Sequence, residues 1–213
     1  MAVETLVRPL PHHPPATSPA TTEVTLPLPL GAAWRKTMMW AFIITDGLLF
    51  AGFLASYGYA RLMAVRWPPQ QEVFSVAYLA AMTFVLITSS ATMACAVEAA
   101  RAGRWNAVTR LVGLTIAGGA TFLGMQAYEW WHVIGEGATL TRNSWGDASF
   151  GSYFFLLTGF HGTHVLTGLI VLAVTAGHTA HRASSAEGVE VAGLYWHFVD
   201  LVWVFIFTLF YLV

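Results

Sequence analysis

Cysteine is almost absent from this chain of 213 residues: Cys95 stands alone, in an apolar run with Met93 and Ala96. A single thiol excludes an internal disulfide and any multi-cysteine metal site, and it reads as a small packing residue. Charge is scarce too. Only 10% of residues are charged while 56% are hydrophobic, so 21 charged side chains would have to coat the whole surface of a soluble domain. A lipid bilayer removes that need, because it solvates an apolar exterior. The net charge of −1 gives no reason to expect nucleic acid or an acidic partner. Also missing are a nucleophile beside a base, a glycine-rich phosphate loop and a paired acid for hydrolysis.

Proline is unevenly spread. Seven of the nine prolines lie between Pro9 and Pro29, among threonines and histidines. So many missing amide donors and so few apolar side chains rule out a helix or a core there, and the expectation is a disordered tail over residues 1–33. No continuous apolar region precedes Gly31, so this tail does not read as a secretory signal.

Beyond it come five apolar stretches, at about 36–63, 73–98, 108–134, 150–178 and 191–213. Each is long enough to span about 30 Å of hydrocarbon at about 1.5 Å per residue. The connectors are short and carry charge, proline or glycine, as loops outside a bilayer should. The expected fold is therefore an all-α integral membrane bundle of five helices over residues 34–213, with no soluble domain and no internal repeat. Seven basic residues (Arg8, Arg35, Lys36, Arg101, Arg104, Arg110, Arg182) fall on one side and three (Arg61, Arg66, Arg142) on the other. That bias predicts a cytoplasmic N-terminus and Val213 outside. Tryptophans 34, 40, 67, 105, 130, 131 and 145 fall near helix ends, as interfacial belts do. Small residues recur at spacing four, as Gly47, Ala51 and Ala55 and as Thr158/Gly162 and Gly159/Thr163, which lets helices approach closely in lipid.

The residues that lipid should reject are the informative ones: Asp46 in the first helix, Glu129 in the third, His161 and His164 in the fourth, His197 and Asp200 in the fifth. A charge at such depth costs about 3 kcal/mol on insertion scales, so each should face protein, water or a headgroup. His161 and His164, three apart, share a helical face, and His197 and Asp200 repeat that spacing. Histidines on neighbouring helices can ligate haem or a metal. The same residues serve equally as interhelical hydrogen-bonding groups. A bis-histidine haem carrier and a small proton-coupled transporter are therefore the alternatives. Carriers usually show repeats and broken helices, which are missing here.

Four segments carry a family resemblance. GFHGTHVLTG at 159–168, LYWHFVDLVW at 194–203, GMQAYEW at 124–130 and TDGLLFAGF at 45–53 resemble, in order, motifs of subunit III of haem–copper terminal oxidases. The resemblance covers about 36–213 and implies a respiratory, proton-pumping oxygen reductase. In it this chain would be a non-catalytic core subunit in a bacterial cytoplasmic membrane. The family implies no haem, copper or catalytic residue in the chain itself; those belong to partner subunits. It also implies direct packing on subunit I, contacts with other oxidase subunits, bound phospholipid in a cleft, and support of proton uptake by subunit I. On that reading Asp46, Glu129, His161, His164, His197 and Asp200 are structural or lipid-facing polar positions. The chain resembles the five-helix version, lacking the first pair of the seven-helix form. Asp46 resembles the quinol oxidases, where cytochrome c oxidases commonly have Glu, and Val97-Glu98 falls where many cytochrome c oxidases have a His pair. Segments 159–168 and 196–203 are closer to cytochrome c oxidases, which are favoured. A homologue serving a nitric oxide reductase is the related fallback.

Overall fold

A computed structural model describes residues 30–68, 73–142, 146–147, 149–180 and 185–212, with side chains from 34 onward except 180. Most of the predicted tail, with Arg8, lies outside the described residues, as do Arg182 and Trp145. Residues 30–33 belong to the first helix rather than to a tail.

In lipid no water satisfies the backbone, so an apolar segment must close its own hydrogen bonds and becomes a helix. Helix α1 runs Leu30–Met63, α2 Val76–Arg101, α3 Trp105–Gly135 and α4 Ser149–Ala180, and α5 runs Ala186–Ile206. The last continues as a π-helical segment, Phe207–Leu212. Among the described residues these five helices are long and apolar enough to cross a membrane, and there is no strand.

Polar groups set the helix ends. Ser75 opens α2 by accepting the Tyr78 N–H at 3.4 Å, and Ser185 opens α5 by accepting that of Gly188 at 3.1 Å. The Ser185 cap starts α5 five residues before the expected 191. Asp147 receives the Ser149 N–H at 2.8 Å ahead of α4, and hydrogen bonding from the Ser149 side chain, then from this N–H, lowers its carboxyl pKa. Gly103, at φ 70°, makes the left-handed turn that lets α2 fold back into α3 within four residues of Arg101.

Helices α2 and α3 form an antiparallel hairpin, α4 packs on α3, and α5 lies against α2 and α4. Close approach needs small residues. A Cβ at Gly118 would sit 2.7 Å from Ser89 Cβ, and one at Gly119 would sit 2.4 Å from the Trp196 ring. Trp196 fills the space between α3, α4 and α5 and donates to Ser89 Oγ at 3.1 Å. Seven residues on, and so on nearly the same face, Trp203 donates to Thr83 Oγ1 at 3.0 Å. Two buried indoles thus tie α5 to α2 (each interhelical bond is worth about 1 kcal/mol in a membrane).

Helix α1 is peripheral, with only 6% of its most apolar window buried, and it packs on α5 and α4. Gly47, Ala51 and Ala55 face α5, as their spacing suggests. They leave an apolar groove of about 480 Å³ there, with Phe198, Leu201 and Phe205 on its far wall. At the end of the bundle where α5 begins, Glu190 takes Lys36 from α1 at 2.8 Å and Arg101 from α2 at 3.0 Å. The other end is an aromatic cluster. There the π-helical register buries both Phe210 and Tyr211, against Phe74, Phe150 and Phe154.

Two expectations change. Cys95 is exposed on the outward side of α2 and is not a packing residue. Trp34, Trp40 and Trp131 point outward as belt residues should, whereas Trp67, Trp105 and Trp130 pack against the core.

Candidate functional site

The six polar positions do not form one centre; the helices distribute them to four places. Asp46, midway along α1, reaches His164 of α4, with Oδ2 3.3 Å from Nε2. The contact is outside hydrogen-bond geometry, and Oδ2 has no other partner among the described residues. His164 Nδ1 donates to the Phe160 carbonyl at 2.8 Å, so its proton is committed to that bond. Nε2 and Oδ2 thus face each other across the α1–α4 contact. Phe50 and Phe160 enclose the imidazole, with centroids 5.4 and 4.6 Å away.

His161 does not join it. Three residues is about 300° of helix, so the two rings diverge by about 60°. His161 turns into the α3–α5 interior, between Phe122 at 5.7 Å and Trp203 at 5.2 Å. It is 0% exposed and neither ring nitrogen has a hydrogen-bond partner among the described residues. Two axial ligands must aim at one iron; these imidazoles aim apart, and aromatic rings pack against His161. Among the described residues no three His, Cys, Asp or Glu groups gather as a metal site would require.

On α5, His197 Nδ1 lies 2.6 Å from Ser90 Oγ of α2. Ser90 also lies against the side chain of Asp200, whose Oδ1 is buried without a hydrogen-bond partner among the described residues. Both residues are only partly buried, near the middle of α5. Glu129 is 5% exposed near the end of α3, and its Oε2 accepts the Tyr211 hydroxyl at 3.2 Å.

The residues that contact these groups are Ser90, Tyr195 and Tyr211, and Gln126 is a further buried polar side chain; the sequence reading singled out none of the four. Tyr195 donates to the His164 carbonyl at 3.1 Å, and Gln126 donates to the Thr158 carbonyl. Gln126 had a signal, since an amide inside an apolar helix needs a partner in the bundle. Tyr211 had none, because its inward position depends on the π-helical turn.

These positions fall within the four motifs and their helices. The profile of the family described as Cytochrome c oxidase subunit III matches residues 30–213. The chain belongs to that family. It is similar to the probable cytochrome c oxidase subunit 3 of Nocardia farcinica, 34% identical over 181 residues, covering 83% of this chain and 86% of the relative. It is 37% identical over 177 residues to the Bacillus subtilis cytochrome c oxidase subunit 3, covering 81% and 83%. The cytochrome bo(3) ubiquinol oxidase subunit 3 of Pseudomonas aeruginosa is 33% identical over 176 residues, covering 81% and 82%. The protein is thus a multi-pass membrane subunit of the haem–copper terminal oxidase class, itself non-catalytic.

Proposed function

We propose that this subunit III packs directly on the haem- and copper-bearing subunit I of a bacterial cytoplasmic-membrane oxidase, cytochrome c being the favoured donor. It steadies that subunit through turnover, supports its proton uptake, holds phospholipid, and carries no redox centre itself. The residues ahead of α1 would be a cytoplasmic tail and the five helices the membrane domain, with the C-terminus outside. Asp46, Glu129, His161, His164, His197 and Asp200 then serve as structural or lipid-facing polar positions.

The observation that carries this reading is the partly buried His197–Ser90–Asp200 group at the middle of α5. Hydrocarbon offers no hydrogen bonds at that depth, so a polar surface there calls for protein. The thinly packed α1 and the α1–α5 groove extend the same face.

The test follows oxygen uptake over many turnovers by the oxidase with this chain removed and then restored, at equal haem. The initial rates should agree within about twofold, while the depleted enzyme loses activity several-fold sooner and regains its lifetime on reconstitution. Equal lifetimes would contradict a stabilising role.

A further inference from the structure

At the end of the bundle opposite Glu190 lies a cleft of about 270 Å³, between the start of α2 and the end of α3 and apart from the α1–α5 groove. Its lining combines one buried carboxyl, Glu129, with the rings of Phe74, Tyr78 and Tyr128, and His132 is part of it too. The rings are held in place. Tyr78 donates its hydroxyl to the Met125 carbonyl at 2.8 Å and lies 5.9 Å from Tyr128, while Phe74 meets Tyr211 edge-on at 4.8 Å. Tyr211 in turn holds Glu129 Oε2, so the acid is positioned from behind. No basic side chain pairs with Glu129 among the described residues, and the nearby His132 is engaged with Glu136 at 3.3 Å.

A carboxylate set among aromatic faces is the arrangement that recognises an organic cation. The ring quadrupoles attract the positive group and the carboxylate neutralises it. With Glu129 in its lining and Glu136 beside His132, the cleft favours a cationic group over an anionic one. Glu129 is six residues from the end of α3, about 9 Å along the axis, which is headgroup depth. We propose that this cleft binds an alkylammonium group, with Glu129 as its counter-ion and Phe74, Tyr78 and Tyr128 as its walls. The cation has two sources: the amine headgroup of a lipid such as phosphatidylethanolamine, or a soluble amine.

The intact oxidase complex containing this chain is placed in phosphatidylglycerol nanodiscs and titrated with tetramethylammonium, followed by broadening of its methyl NMR signal. Wild type should bind saturably, and Glu129→Gln should bind about tenfold more weakly or not at all. Tyr128→Ser, at a half-exposed ring, is the second variant should Glu129→Gln fail to assemble, and it should weaken binding several-fold. Mass spectrometry of complexes from mixed phosphatidylethanolamine/phosphatidylglycerol nanodiscs then separates the sources. Retention of a phosphatidylethanolamine by wild type but not by the variants assigns the cleft to lipid. Saturable tetramethylammonium binding without such retention assigns it to a soluble amine. Unsaturable titration together with equal lipid retention in wild type and variants would overturn the proposal, and would leave the subunit III assignment untouched.

Discussion

Asp46 concentrates the residue-scale question. Its carboxyl lies at the middle of α1, where an unpaired charge is costly, and the His164 ring 3.3 Å away supplies the compensation. Asparagine keeps the size of this side chain and can donate to Nε2 while His164 Nδ1 stays bonded to Phe160. Asp46→Asn should therefore assemble normally and show near wild-type initial oxygen uptake. Asp46→Leu removes the carboxyl that faces Nε2, a loss of about 1–3 kcal/mol, and should shorten active lifetime and weaken association with the haem-bearing subunit. Immediate inactivity of fully assembled Asp46→Asn, measured at equal haem, would assign Asp46 a proton-carrying role instead. That His164 was an intramembrane polar residue is plain from the sequence; that it pairs with Asp46 rather than acting beside His161 is not. The choice depends on the 60° between residues three apart and on which helix lies in each direction.

Among the elements, α5 is the one that the others surround. Its indoles at 196 and 203 bond to Ser89 and Thr83 of α2, and Trp196 fits only because α3 has glycine at 119. Gly119→Leu would press a branched side chain into the Trp196 ring, which can retreat only by giving up its bond to Ser89. We expect a loss of a few kcal/mol, read as a markedly lower unfolding temperature in detergent, against little change for Gly113→Leu, where nothing lies within 4 Å. The five spans were legible because lipid leaves an apolar run of this length only one structure. The start of α5 was displaced by five residues, because hydropathy does not register a serine cap such as Ser185. The π-helical turn that brings Tyr211 to Glu129 has no signature in the apolar pattern at all.

At the scale of the whole molecule, orientation and partnership each have a direct test. The seven-to-three bias of basic residues predicts that 101–104 face the cytoplasm. A reporter active only outside should work when fused after Val213 and be silent within 101–104; the opposite pattern would invert the bundle and put the ammonium cleft on the cytoplasmic side. Family membership was readable in four segments, whereas the proposed docking face was not. That proposal rests on the thinly packed α1, its groove and the His197–Asp200 pair taken together. The most direct measurement of the central claim is purification through a tag in mild detergent, followed by mass spectrometry and a visible spectrum. The account predicts a large haem-bearing subunit in stoichiometric company, and no Soret band on the separated 23.2 kDa chain. A full equivalent of haem retained by that chain alone would contradict it.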